Sequence, residues 1–167
     1  NISSRDIKNL AFILQPLAGQ KIPFLLHTSE PVGHTYPGKS LENLQRTYQL
    51  LLTLPDVIVI LAHWGGGFFF YELMPEVARA AQNVYYDTAA SPFLYKPQIY
   101  ALAIKIVGPA RILFGSDYPL ISPARYFEEL KKSRLPAGIL AKIKGLNVRR
   151  LLCGKTVSGT CQRGFGP

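Results

Sequence analysis

Four residues that could bind a metal ion or move a proton stand at the ends of four apolar segments. They are separated by 36, 24 and 30 residues, about one strand plus one helix each: His27, His63, Asp87 and Asp117. Imidazole and carboxylate groups are the ligands that zinc takes in catalytic sites. A bound divalent ion can lower the pKa of water or polarise a carbonyl. The residue types and their spacing therefore indicate a metal site.

The segments that must position these residues alternate with helical patterns. In "KNLAFILQPLAG" the apolar side chains fall on one face of a helix, whereas "VIVILAH" is continuously apolar, as in a strand buried on both sides. Strands that alternate with helices predict parallel β/α units. Because the carboxyl ends of parallel strands meet at one edge, we expect His27, His63, Asp87 and Asp117 to converge there. An open sheet or a (β/α)8 barrel, which needs about 200–250 residues, would fit this pattern.

Three loops follow these strands. Residues 28–39, which include His34, are polar and rich in Pro and Gly, and we expect them to cover the site. The glycines of "HWGGGFFF" allow a sharp turn and a close approach to a ligand. The chain contains neither GxxxxGK[ST] nor GxGxxG, so no phosphate-binding motif is indicated. In "ILFGSDYPL" Asp117 would project towards the site, or it would cap a turn.

Composition limits the class of protein. The chain has 167 residues, 48% of them hydrophobic, which predicts one globular domain with a core. No apolar run reaches the ~18 residues that span a bilayer. With only Cys153 and Cys161 and no CxxC motif, we expect a reducing compartment, the cytoplasm.

The net charge of +9 lies entirely in residues 130–167, which contain nine basic and no acidic residues. Such asymmetry can mark a nucleic-acid or membrane-surface contact, or a solvated helix face with a basic tail. The basic residues are not interleaved with aromatic ones, as single-strand binders usually require. We therefore expect no nucleic acid as partner, although binding through residues 130–167 stays an alternative.

The strand-end motifs, taken together, suggest a family. "PFLLHTSEP", "ILAHWGGG", "NVYYDTAA" and "RILFGSDYP" resemble successive strand ends of the amidohydrolase-related, TIM-barrel metal-dependent hydrolases. The branch is the one that includes aminocarboxymuconate-semialdehyde decarboxylase. "GLNVRRLL" resembles the closing helix of that family. The resemblance implies that residues 1–152 form the C-terminal half of such a barrel, about strands five to eight, and that residues 153–167 are a loose, basic, Gly-rich tail.

The same resemblance implies roles for individual residues. His27 matches a metal ligand, and His63 matches the histidine that orients or activates water at the metal. Asp117 matches a metal ligand or a proton-handling group. At the position of Asp87 the family offers no invariant role, so a turn cap with Thr88 stays the simpler interpretation. The remaining candidates are substrate contacts: His34, Trp64 and Tyr118.

One departure from the family pattern is large. The family places an H-x-H pair after its first strand, and no H-x-H occurs in this chain. His27 and Asp117 alone supply two ligands, where a catalytic zinc usually has three. We therefore expect this chain to be part of a longer enzyme and to be inactive alone. Its partner would be the missing N-terminal half, or a second copy of the chain.

The expected function is the hydrolysis or non-oxidative decarboxylation of a small carboxylated or cyclic substrate, with a divalent metal, most simply zinc, as cofactor. A non-catalytic α/β binding domain is the alternative.

Overall fold

The apolar segments form four short parallel strands that lie side by side in chain order. The computed structural model describes residues 4–39 and 44–153. The strands are β1 (Phe24–Leu26), β2 (Val59–Leu61), β3 (Val84–Asp87) and β4 (Ile112–Leu113). Each pairs in parallel with its neighbour, in the order β1-β2-β3-β4. The prediction of parallel β/α units is confirmed.

Helices connect the strands and bury one face of the sheet. Their bounds are α1 (Ser4–Gln20), α2 (Leu44–Thr53), α3 (Pro75–Ala80), α4 (Ser91–Leu94), α5 (Gln98–Val107), α6 (Pro123–Lys132), α7 (Ala137–Ala141) and α8 (Asn147–Cys153). The core contains side chains from the strands and most helices, among them Leu14, Leu51, Val59, Phe69, Tyr86, Ala103, Ile112 and Leu130. Because every strand runs the same way, this core fixes all four carboxyl ends at one edge of the sheet.

The two faces of the sheet differ in burial. Phe24 and Leu26 pack against the core, but Leu25 between them is 59% exposed. Leu25 is aligned with Ile60 of β2, and Ile60 is aligned with Tyr85 of β3, and both of these are only partly buried. Strand β1 is therefore half-buried, whereas its apolar sequence predicts a buried strand.

One predicted helix begins later than its sequence pattern indicates. The pattern "FFFYELMPEVARAAQ" predicts one helix with Pro75 in its first turns. Instead, a run of 3₁₀ turns extends over His63–Leu73, Met74 is extended, and Pro75 begins α3. Proline has no amide hydrogen to donate, so it suits the first position of a helix and not its interior.

A largely buried ion pair links the 3₁₀ run of residues 63–73 to the amino-terminal end of β4. Glu72 contacts Arg111 at 2.5 Å and accepts a 2.6 Å hydrogen bond from the Tyr86 hydroxyl. Arg111, which directly precedes β4, also donates to the Ala81 carbonyl just before β3. Asn147 at the start of α8 donates to the carbonyls of Pro109 and Ile112. These contacts hold β3, β4 and the closing helix in register.

The division of the chain into half of a barrel, residues 1–152, and a tail, residues 153–167, stays a prediction. Of the expected tail, only Cys153 lies among the described residues, as the last residue of α8. Residues 154–167 lie outside them.

Candidate functional site

The predicted strand-end residues stand at the expected places in the fold. His27 directly follows β1, His63 follows β2 by two residues, and Asp87 is the last residue of β3. Asp117 follows β4 by four residues. All four therefore lie at the carboxyl edge of the sheet.

A cavity of about 580 Å³ opens at this edge. Its lining combines residues of all four strand-end loops: His27, His34, Tyr36, Pro37, His63, Ala90, Phe93, Leu94, Asp117 and Leu120. The fold therefore brings together His27, His34, His63 and Asp117, which the sequence predicts as site residues. Tyr36, Phe93 and Leu120 also line the cavity, and sequence reasoning missed them because nothing in their local pattern separates them from ordinary loop residues.

His27 and His63 are neighbours. Their ring centroids are 5.0 Å apart and the ring planes are inclined by 74°. The His27 Nε2 atom lies 3.1 Å from the Ser29 hydroxyl oxygen. His27 is exposed, whereas His63 is buried except for 8% of its surface. One ring is thus open to solvent at the mouth, and the other is held in a closed environment.

An unusual backbone turn presents His63. Five consecutive residues, 63–67, have positive φ, and the values are 55° for His63 and 59° for Trp64. Residues with a Cβ avoid this region, at a cost of roughly 1–2 kcal/mol each. A Cβ added to Gly66 would lie 2.4 Å from the Ser29 carbonyl oxygen. Gly66 therefore allows a close backbone contact between the loops after β1 and β2.

Asp87 accepts hydrogen bonds from the loop that carries His63. Its Oδ1 atom accepts from the His63 amide at 2.8 Å and from the Ala89 amide at 3.0 Å. The His63 Nδ1 atom lies 3.3 Å from the Ala89 carbonyl oxygen. Burial raises the pKa of Asp87, and the two amide donors oppose that shift. The sequence places Asp87 among the four strand-end candidates, with a turn cap with Thr88 as its simpler interpretation. The contact with the His63 amide was not predicted, because that amide is 24 residues away.

Threonines tie the other strand ends together. Thr28 donates to the Ala62 carbonyl and so links the loops after β1 and β2. The Thr88 hydroxyl donates to the Gly115 carbonyl at 3.0 Å and accepts from the Gly115 amide at 3.2 Å. The loop that carries Asp117 is thereby fastened to the end of β3.

The loop of residues 28–39 is organised around Tyr36. The Tyr36 hydroxyl donates to Glu30 at 3.1 Å, and burial, the largest cause, raises the pKa of Tyr36. The Lys39 ammonium donates to the carbonyls of Val32 and His34 and lies 5.5 Å from the Tyr36 ring centroid. The His34 ring packs at 5.7 Å against that ring. This arrangement places His34 and Tyr36 in the cavity wall, and a substrate contact of His34 stays a prediction.

The structure does not bring Trp64 or Tyr118 into the cavity lining. Trp64 has no exposed surface, and its indole donates to the Ser91 hydroxyl at 2.7 Å. The left-handed turn places the Trp64 ring in the core, and its substrate contact stays a prediction. Tyr118 is 74% exposed and is not among the residues that line the cavity. Both residues flank site residues in sequence, which is why the sequence suggested them.

The donors in the cavity fit part of a metal site. Two imidazoles and one carboxylate, those of His27, His63 and Asp117, line it. Among the residues that the structure describes, however, no three His, Cys, Asp or Glu side chains are grouped so that they could hold one metal ion. The donor chemistry of these three side chains suits zinc or a similar ion.

Sequence comparison identifies the family. The amidohydrolase family profile (Amidohydro_2) matches residues 11–153, which include all the strands and the cavity. The chain belongs to the amidohydrolase family. Among curated proteins, none matches this amidohydrolase-family chain by sequence.

Solved structures share its fold. A 5-carboxyvanillate decarboxylase of Sphingomonas paucimobilis superposes with a TM-score of 0.67 at 15% identity, over 83% of this chain and 51% of its own. A dihydroxybenzoic acid decarboxylase of Polaromonas sp. JS666, solved with manganese and 2-nitroresorcinol, gives 0.65 at 18% identity, over 89% and 54%. An amidohydrolase of Burkholderia multivorans, solved with bound zinc, gives 0.61 at 15%, over 89% and 57%.

These similarities establish the fold as parallel β/α units of the amidohydrolase TIM barrel. The chain spans about half the length of the solved structures it matches. In the part of the chain that the structure describes, we find no helix with the length and apolar character needed to cross a lipid bilayer.

Proposed function

We propose that this amidohydrolase-family chain supplies one half of the active site of a divalent-metal-dependent hydrolase or decarboxylase. One observation supports the proposal most: His27, His63 and Asp117 follow three parallel strands and line one cavity. Family membership of residues 11–153 gives this arrangement its chemical context.

In the proposed site, His27 and Asp117 would hold the ion, and His63 would take or give a proton. A divalent ion, when bound, supplies Lewis-acid polarisation and lowers the pKa of water. Manganese and zinc both occur in structures of similar fold, so the proposal does not depend on zinc alone. His63 suits proton transfer because its ring is held in a mostly buried position at the cavity wall.

The proposed site requires further ligands. A catalytic zinc usually has three protein ligands, and His27 and Asp117 provide two. Because the chain spans about half of its structural relatives, we propose that residues outside this chain complete the site. In this proposal the isolated chain binds a divalent ion weakly and has no turnover.

The proposed substrate is a small aromatic or cyclic carboxylate. Two proteins of similar fold are decarboxylases of such acids, 5-carboxyvanillate and dihydroxybenzoic acid. Phe93, Leu94 and Leu120 offer apolar walls for a ring, and Tyr36 and His34 offer polar contacts at the opposite loop. Trp64 would support the site from behind, through Ser91. Tyr118 would contact substrate only where a further segment covers it.

The test compares this chain with a longer polypeptide that also carries the preceding strands of the barrel. Each is freed of metal, loaded with Zn²⁺ or Mn²⁺, and assayed for carbon dioxide release from 5-carboxyvanillate and 2,6-dihydroxybenzoate and for hydrolysis of simple cyclic amides. We expect metal-dependent turnover of one substrate in the longer polypeptide alone. A metal-free longer polypeptide with full activity would overturn the proposal, and so would a stoichiometrically loaded one that is inactive on every substrate.

A further inference from the structure

We propose that Asp87 is a positioning residue, which fixes the ring tautomer of His63 through the backbone rather than by touching the ring. The Asp87 carboxylate holds the His63 and Ala89 amides so that His63 Nδ1 donates to the Ala89 carbonyl and Nε2 is left for the cavity. This inference rests on the proposed function, since it concerns how His63 is prepared for proton transfer.

A single oxygen atom of Asp87 contacts both loops. Asp87 Oδ1 accepts from two amides that belong to different loops: His63, after β2, at 2.8 Å, and Ala89, after β3, at 3.0 Å. A carboxyl oxygen has two lone pairs, so one atom can accept both hydrogen bonds. One carboxylate atom therefore fixes the relative position of the His63 and Ala89 backbones.

The contact with Asp87 holds His63 in an unfavourable backbone conformation. His63 has φ 55°, in the left-handed region that residues with a Cβ avoid, and four more left-handed residues follow it. Such a conformation persists only where surrounding contacts determine it. The His63 amide points at Asp87 in this conformation, so the carboxylate directly stabilises the strained residue.

The imidazole ring of His63 lies beside the Ala89 carbonyl group. His63 Nδ1 lies 3.3 Å from the Ala89 carbonyl oxygen, and a carbonyl only accepts hydrogen bonds. The proton of the neutral ring therefore belongs on Nδ1, which leaves the Nε2 lone pair free. The amide that Asp87 binds and the carbonyl beside the ring both belong to Ala89. By fixing this amide, Asp87 also places the carbonyl that selects the tautomer.

The packing around the carboxylate supports a fixed position. Asp87 is 9% exposed, and a Cβ on Gly115 would lie 3.1 Å from its carboxyl carbon. The absence of a side chain at Gly115 thus lets the loop after β4 close over the carboxylate. Neighbouring Thr88 is fully buried and hydrogen-bonds Gly115, not His63, which makes it a matched control.

The experiment observes the tautomer directly in this chain, without substrate or metal. Nitrogen-15 NMR of the imidazoles at pH ~8, where an ordinary histidine is neutral, distinguishes Nδ1–H from Nε2–H. The chain has only three histidines, so His27→Gln and His34→Gln assign the spectrum. In the wild-type chain we expect His63 mainly as Nδ1–H, and a wild-type ring with the proton on Nε2 would overturn the inference.

Variants then separate positioning from general stability. In Asp87→Ala we expect a mixture of His63 tautomers and at least about tenfold faster exchange of the His63 amide hydrogen. Asp87→Asn should restore the Nδ1–H form because its amide oxygen can accept from both backbone groups. Thr88→Val should keep the Nδ1–H form of His63. Retention of the wild-type tautomer in folded Asp87→Ala would refute the role of Asp87.

If Asp87→Ala does not fold, Asp87→Asn still decides the question. A folded Asp87→Asn that loses both the Nδ1–H form and the protected His63 amide would refute the proposed hydrogen-bond geometry. None of these readouts depends on catalysis, so failure of the proposed function and failure of this inference are seen separately.

Discussion

The rings of His27 and His63 meet edge to face at 5.0 Å, although the two residues are 36 positions apart in the chain. The parallel pairing of β1 with β2 brings them together, since Leu26 aligns with Leu61 one and two residues before the histidines. This pair places the proposed metal ligand beside the proposed proton-handling group.

The pair predicts different losses for the two histidines in the longer, metal-dependent polypeptide proposed above. His27→Ala should remove the metal, because a ligand holds the ion. His63→Ala should retain the metal and lose about 10²–10⁴-fold in rate, the usual contribution of general acid–base help. Metal content by elemental analysis and kcat are measured on the same samples. Parallel loss of metal and rate in His63→Ala would make His63 a ligand, and full activity would remove it from the mechanism.

The sequence predicts strand-end residues well, and contacts between loops poorly. Apolar runs and their spacing predict parallel strands, and parallel strands bring His27, His63 and Asp117 to one edge whatever the details of the loops. The direction of the Trp64 side chain could not be predicted in this way. It depends on the left-handed conformation of five consecutive residues, 63–67, of which three are glycines. The contact of Asp87 with the His63 amide likewise depends on the register of β2 with β3.

Gly66 should be indispensable for the junction of the loops after β1 and β2. A Cβ there would meet the Ser29 carbonyl oxygen at 2.4 Å, and backbone atoms cannot easily move aside. We expect Gly66→Ala to lower the free energy of unfolding by more than about 2 kcal/mol, measured by urea titration. Gly19→Ala is the control, because nothing lies within 4 Å of its added Cβ, and it should be neutral or stabilising by up to ~1 kcal/mol. Equal stability of the two variants would contradict the close contact.

The buried Glu72–Arg111 pair should be strongly coupled. The Glu72 side chain is 2% exposed, and it also accepts from Tyr86. Removing one partner of a buried pair leaves an uncompensated charge, so Glu72→Ala should cost about 3 kcal/mol. The double variant Glu72→Met with Arg111→Met should be less destabilised than the sum of its two single variants, Glu72→Met and Arg111→Met.

Chemical unfolding of the single and double variants provides the coupling free energy between Glu72 and Arg111. The surface pair of Glu128 with Lys131 is the control, since both side chains are more than half exposed. Glu128→Ala should give no measurable change. Additive effects of the Glu72 and Arg111 variants would show that the buried pair is not coupled.

Buried tyrosines should make the fold sensitive to alkali. Burial raises the pKa of Tyr100 to about 12, above the ordinary value of 10.0. The unfolded chain therefore loses this proton first, so the stability present below pH 10 falls as the pH rises towards 12. As the pH rises from 10 to 12, the free energy of unfolding should fall less in Tyr100→Phe than in the wild type, by up to about 2 kcal/mol. Unfolding measured at stepped pH gives both curves. Tyr71→Phe, 49% exposed, should follow the wild-type curve. Parallel curves for Tyr100→Phe and the wild type would contradict this effect.

The open edge of the sheet should make the isolated chain self-associate. Within the described strands β1 pairs only with β2, and Leu25 at its centre is 59% exposed. Unpaired strand edges and apolar sheet faces are ready surfaces for association. We expect concentration-dependent oligomers in sedimentation velocity, and Leu25→Lys should shift the chain towards monomer because it places a charge on that edge. Val32→Lys, on a loop residue that is 75% exposed, should leave the association unchanged. A monodisperse wild-type monomer, or an equal effect of both variants, would show that the edge of β1 does not drive assembly.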